Sequence, residues 1–199
     1  MFVLAKYKKI VIGIDQSYTR TGLSLGADGR LLKVSSTNFR GCKIKSQKRL
    51  HLADLLTRII EANQHKASEV VILCERIRTF SHSNKDQNED GNNGMFISTN
   101  YIKATGALIA TIVDTAYKYG IPVYSVDTRA WKSKIVGTSK KIKGNPKLAT
   151  VRHITNLGFN VSRVNKAGKT VYDDDAADSG CICLYGFLPE RLQSLKKEE

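Results

Sequence analysis

The sequence is poor in the features that mark secreted, membrane-spanning or disulfide-stapled chains. Its four cysteines, Cys42, Cys74, Cys181 and Cys183, form no CxxC pair and have no histidine beside them. They are read as reduced thiols of a cytoplasmic protein, in core or surface positions, rather than zinc ligands or a disulfide framework. No stretch approaches the roughly 20 continuous apolar residues of a membrane span. Lys6, Lys8 and Lys9 follow a very short apolar run, the wrong order for a secretory signal, so no membrane partner is expected. Acid is scarce as well: 18 Asp+Glu face 32 Lys+Arg, giving a net charge of +14 and a pI near 9.7. Without a strongly amphipathic basic helix, that excess points to a polyanionic partner, nucleic acid before membrane. What is present is ordinary for a globular chain. At 41% hydrophobic and 25% charged over 199 residues, a single domain spanning 1–199 can build its own core.

Ile10-Val11-Ile12-Gly13-Ile14 predicts a strand buried on both faces, and it ends directly in a carboxylate, Asp15. Leu23-Ser24-Leu25-Gly26 alternates apolar and polar, which predicts an antiparallel return. A third strand of the meander is predicted over 31–38, after a turn at Gly29-Arg30. Over 46–66, Leu52, Leu55, Leu56, Ile59 and Ile60 recur at helical spacing. Val70-Val71-Ile72-Leu73-Cys74 then repeats the opening pattern and again ends in an acid, Glu75. Strand, helix and buried strand in that order imply a parallel crossover, which brings Asp15 and Glu75 to one edge of the sheet. Further on, the pattern predicts a polar loop over 76–94, a long helix over 95–119, a strand over 120–126 and a short helical turn over 127–131. A basic loop over 132–147 follows, then a helix from Asn145-Pro146 to near Gly158 and a polar loop over 165–169. The tail from about 190 to 199 is charged and expected to fray.

The remaining informative stretch is Asp173-Asp174-Asp175-Ala176-Ala177-Asp178, the acidic first turn of an apolar helix. The helix dipole favours acids there by only about 0.3–1 kcal/mol each. Asp175 and Asp178, three apart, share a face, and carboxylates so clustered repel unless a divalent cation lies between them. Asp15 either caps its turn through a side-chain hydrogen bond or serves a ligand in the crevice at the strand ends. With Glu75, the set has the composition of a Mg²⁺ site, and paired ions about 3.5–4 Å apart clamp the attacking and leaving oxygens of a phosphodiester.

Taken in order, Gly13-Ile14-Asp15-Gln16-Ser17 with Thr21-Gly22, then Glu75, then Asp175-Ala176-Ala177-Asp178 resemble the RuvC family of Holliday junction resolvases, in the ribonuclease H-like superfamily. The likeness runs over about 9–186 and is nearer to phage-encoded members than to the cellular enzyme. It implies an α/β ribonuclease H-like fold with a mixed five-stranded sheet flanked by helices. It implies a crossover junction endodeoxyribonuclease of the bacterial or infected-host cytoplasm, acting as a homodimer on four-way or other branched DNA. Four catalytic, metal-binding carboxylates carry over onto Asp15, Glu75, Asp175 and Asp178, with Asp174 as the alternative to Asp175. They would hold Mg²⁺, or Mn²⁺ in its place, two ions per site. An aromatic that enters the junction centre carries over onto Phe96, with Phe80 as its rival, after an apparent insertion over about 79–94. The family's basic loop matches Trp131-Lys132-Ser133-Lys134-Ile135-Val136-Gly137 and offers Lys132 and Lys143 as DNA contacts, beside Lys140, Lys141, Arg76 and Arg78.

Three competing readings stand beside this one. The turn from Gly13 to Gly22 also resembles the phosphate-binding turn of actin-like sugar kinases and ATPases, which need a second lobe and a second Gly-rich loop that this chain lacks. Other ribonuclease H-like nucleases and a non-catalytic junction-binding protein are the nearer competitors.

Overall fold

Ile10, Val11, Ile12 and Ile14 are all fully buried, so β1 (Tyr7–Asp15) takes the centre of the sheet. Burying each such side chain is worth about 1.5–3 kcal/mol, and only a strand covered on both faces collects it from consecutive residues. The computed structural model describes residues 6–77, 99–137, 146–165, 167–188 and 196–198. Phe80, Phe96, Arg78, Lys140, Lys141, Lys143 and the 79–94 insertion lie outside the described residues.

On one side β1 pairs antiparallel with β2 (Arg20–Ala27), and β2 pairs with β3 (Arg30–Asn38). At the β2–β3 turn Asp28 has a φ of 46° and Gly29 a φ of 85°. The Asp28 carboxylate holds this turn against β1 by accepting from the backbone N–H of Lys8 and Lys9. On the other side β1 runs parallel to β4 (Ala67–Glu75), which runs parallel to β5 (Val123–Val126). The crossover from β3 to β4 is α1 (Lys45–Asn63) with a short 3₁₀ turn at Gln64–Lys66. The last strand, β8 (Lys196–Glu198), pairs antiparallel with β5 and completes the order β3-β2-β1-β4-β5-β8. The mixed α/β class is as expected, with one strand more than the five anticipated. That strand lies in the tail expected to fray: β5 offers it an open edge, and Ser125 Oγ anchors Glu198 Oε1 at 2.5 Å.

Side chains alternate across β1 and build two cores. Ile10, Ile12 and Ile14 face α1 and α2 (Thr99–Tyr117), where Leu52, Leu56, Ile60, Leu108 and Ile112 are fully buried. The apolar stripe of α2 therefore faces the core. Val11, Val71 and Leu73 face the other way, onto α5 (Asp174–Tyr185), α4 (Pro146–Asn156) and Trp131 of α3 (Thr128–Trp131). Lys132–Val136, expected as the start of a basic loop, is a π-helical turn continuing α3. The stretch expected as a polar loop, 165–169, falls between β6 (Ser162–Val164) and β7 (Thr170–Tyr172), which pair antiparallel. All four cysteines are free, three of them buried.

Two glycines set how closely α5 lies on the sheet. A Cβ at Gly13 would overlap the Ser179 carbonyl oxygen, and one at Gly22 would overlap the carbonyl of Asp175. Backbone therefore rests on backbone, and Ser24 Oγ donates to Ser179 O at 2.7 Å across the contact. This approach carries the acidic first turn of α5 to the ends of β1 and β2.

Candidate metal and nucleic-acid site

In the parallel β1–β4 ladder Ile14 pairs with Cys74, so the next residues, Asp15 and Glu75, end neighbouring strands side by side. The pleat turns both toward α5, because Val11 and Gly13 on β1 and Val71 and Leu73 on β4 share that face. Asp15 is also the antiparallel partner of Gly22, the glycine on which the Asp175 backbone rests. Asp178 follows one helical turn later on α5. Asp15, Glu75, Asp175 and Asp178 thus come together at one end of β1, β4 and α5.

The electrostatics record that convergence. The Asp15 carboxyl is pushed well above the usual range, first by burial, then by the charges of Glu75, Asp178 and Asp175, and by a hydrogen bond with Glu75. Burial first, then the charges of Asp174 and Asp173, push Asp175 up to about 6, against Arg20 and Arg163. Burial also raises Asp178, with Lys132 and Thr150 opposing it. Asp174 acts on Asp175 and Asp178, whereas Asp175 acts on Asp15 itself.

Neighbouring donors hold the acids individually. The Thr128 hydroxyl donates to Glu75 Oε1, Lys132 Nζ lies 3.3 Å from Asp178 Oδ2, and Arg20 Nε lies 3.7 Å from Asp175 Oδ2. Asp178 Oδ1 is buried without a hydrogen-bond partner among the described residues. Gln16, itself buried, accepts from the Glu75 N–H at 3.1 Å and donates to the Glu75 carbonyl at 2.5 Å, so its side chain extends the β1–β4 ladder by one residue. Asp173 has a different task. It caps α5, accepting from Ala176 N at 3.2 Å and from Ser36 Oγ at 2.6 Å.

The donor set is oxygen-only, carries surplus negative charge and keeps one buried carboxylate oxygen unsatisfied, which fits a hard divalent cation. Among the described residues no three or more of His, Cys, Asp and Glu already stand at metal-ligand spacing.

Of the basic candidates, Lys132 lies at the cluster, its ammonium 4.9 Å from the Trp131 ring centroid. Arg76 turns back onto β5, with Nε 3.4 Å from Ser125 Oγ. Sequence reasoning passed over Gln16, Arg20, Thr128 and Arg163. Gln16 and Arg20 lie inside the motif that singled out Asp15, but nothing local to Thr128 or Arg163 signals where the fold takes them.

Known structures share this architecture. Thermus thermophilus RuvC in complex with Holliday junction substrate matches with a TM-score of 0.60 at 16% identity, over 96% of this chain and 99% of that one. A second Thermus thermophilus RuvC structure matches at 0.57 and 15% identity, over 95% and 99%. The yeast mitochondrial Holliday junction resolvase matches at 0.54 and 14% identity, over 96% of this chain and 81% of that one. No family model and no curated protein matches the sequence. The chain has the RuvC-like, ribonuclease H-like fold.

Proposed function

On this RuvC-like fold we propose a metal-dependent endonuclease that hydrolyses a phosphodiester of four-way or other branched DNA, acting as a homodimer so that two sites make two nicks. The observation that carries the reading is the convergence of Asp15 and Glu75, from adjacent strand ends, with Asp175 and Asp178 on α5. Structural neighbours that include a resolvase bound to a Holliday junction support it, as does the net charge of +14. Asp15, Glu75, Asp175 and Asp178 would hold Mg²⁺, or Mn²⁺ in its place, two ions per site. Such ions lower the pKa of a bound water and stabilise the oxygens that attack and leave phosphorus.

The chain's own side chains prepare that chemistry. Thr128 fixes the direction of Glu75 Oε1, and Gln16 fixes the backbone from which Glu75 projects. Burial and the charge of Glu75 favour the protonated form of Asp15, and a cation held there would take the place of that proton. Lys132, 3.3 Å from Asp178, balances the cluster and is placed to meet a phosphate oxygen. Water replaces the 3′ oxygen on phosphorus in a single in-line displacement, so no covalent enzyme intermediate is required. Phe96, Arg78, Lys140, Lys141 and Lys143 belong to the same proposal as contacts to the DNA, as does Arg76.

The test is cleavage of labelled four-way junctions, forks, plain duplex and RNA–DNA hybrid, side by side, with Mg²⁺ and with chelator. Metal-dependent cutting of the branched substrates is expected. Cutting confined to the hybrid, or junction binding without any cutting, would overturn the proposal in favour of another ribonuclease H-like nuclease or a binding protein.

A further inference from the structure

Beside the carboxylate cluster lies a recess of about 270 Å³, enclosed by the β1–β2 turn, the end of β3, the first turns of α1 and the β6–β7 hairpin. Arg20, Arg40, Lys48 and Arg163 line it, and no carboxylate among the described residues does. Among the described residues Arg20 pairs with Asp175 at 3.7 Å and the charge of Arg163 also acts on Asp175, whereas Arg40 and Lys48 have no ion-pair partner. Arg163 Nε is buried with no acceptor among the described residues. Lys48 Nζ donates to the Tyr18 carbonyl at 2.8 Å and lies 5.9 Å from the Phe39 ring centroid, which fixes its charge at the wall. Arg40 is exposed at the mouth.

Four cations brought together repel one another, and a buried guanidinium N–H without an acceptor is costly. An oxyanion with several acceptor oxygens answers both, and the forked guanidinium donors suit phosphate geometry. Position narrows the choice. Arg20 is common to the two sites, with Nε toward Asp175 of the cluster and Nη1 donating to Ser36 at 3.0 Å. Successive phosphates of one DNA strand advance about 3.4 Å along the helix axis, so a strand lying on the cluster brings the next phosphates alongside.

We propose that this recess holds a backbone phosphate of the DNA strand whose neighbouring phosphate lies at the carboxylate cluster. The inference rests on the nuclease reading for the second half of that statement, and on the recess itself for the first.

The experiment measures binding to a four-way junction and to plain duplex across a salt series, in chelator, for the wild type, Arg40→Gln and the Arg40→Ala/Lys48→Ala pair. Each phosphate contact contributes about 0.9 to the slope of log affinity against log salt. The slope should therefore fall by about one for Arg40→Gln and about two for the pair. Lys66→Ala/Lys118→Ala removes equal charge from exposed positions just before β4 and β5, at the far end of the sheet, and should change the slope less. Arg40→Gln alters only an exposed side chain, so a folding failure of the pair leaves a usable variant. An unchanged slope overturns the recess as a DNA site, whether or not the wild type cuts junctions. A lowered slope with no junction cleavage by the wild type sinks the nuclease reading and keeps the recess as a DNA-phosphate site. Stabilisation by millimolar inorganic phosphate that the pair loses, with the DNA slope intact, assigns the recess to free phosphate and overturns the proposal. Absence of any DNA binding overturns both.

Discussion

Asp15 and Glu75 end two parallel strands one residue beyond the last paired positions, Ile14 and Cys74, and of the neighbouring charges that of Glu75 weighs most on the Asp15 carboxyl. Strand termini are rigid, so the two acids cannot separate as surface side chains would. The strain is electrostatic, and it is relieved by a proton or by a cation.

The first prediction concerns stability against pH. Unfolded, Asp175 ionises at its usual 3.8; folded, it does so at about 6, and Asp15 is also raised well above its usual value. Between those values the folded protein keeps protons that the unfolded chain releases. The stabilisation is therefore full below pH 3.8 and is lost as the pH rises through about 6. A tenfold change in proton affinity is about 1.4 kcal/mol, so Asp175 alone contributes on the order of 1–3 kcal/mol. Thermal melts in chelator should show stability declining from pH 4.5 to 7, and millimolar MgCl₂ should restore it at pH 7. A metal-free protein equally stable across that range would contradict the buried carboxylate cluster.

Asp15→Asn and Asp178→Asn should each remove cleavage by about 10²–10³-fold or more, the usual scale for losing one preorganised electrostatic group. Both should also raise the metal-free melting temperature at pH 7, because each deletes a charge that burial penalises while keeping its shape. About 2–4 °C per kcal/mol is the expected scale for a chain of this size. Junction binding in chelator should stay close to wild type. Activity falling while stability rises separates a functional acid from a structural one.

Much of this was legible because buried parallel strands announce themselves. An aliphatic run followed at once by an acid marks both Asp15 and Glu75, and three-residue spacing marks Asp175 and Asp178. What stayed hidden depends on partners distant in sequence. Gly13 reads as a break in a strand, yet its role is set by Ser179 on a helix far along the chain. Asp173 reads as one more acid of the cluster, whereas it caps α5 through Ala176 N, and nothing local announces the Ser36 hydroxyl of β3 that holds its other oxygen. The β6–β7 hairpin and β8 are three-residue strands with few buried side chains, too short for alternation to register. Thr128 and Arg163 carry no local pattern at all.

Gly22→Ala should damage activity more than its size implies. The added methyl would overlap the Asp175 carbonyl, so α5 must lift away from β2, and its first turn carries Asp175 and Asp178. Overpacking of this kind costs about 1–3 kcal/mol, measurable in urea melts. The cleavage rate of the folded fraction should fall as well, because the acids on α5 move relative to those on the strands. Gly29→Ala, at a turn with open space around it but a φ of 85°, should lose stability without that loss of rate.

Gln16→Leu and Thr128→Val test how Glu75 is held. Leucine keeps most of the volume of glutamine but leaves the Glu75 N–H and carbonyl without their partner, a cost of about 1–3 kcal/mol for buried groups. Thr128→Val removes only the hydroxyl that directs Glu75 Oε1. Both variants should need more Mg²⁺ for half-maximal cleavage, by about 10–100-fold if these contacts orient a metal ligand. A purely structural role for Thr128 would lower stability and leave the Mg²⁺ titration where it was. Because the carboxylate of Glu75 is intact in both variants, saturating metal should recover most of the lost rate, which Glu75→Gln should never do.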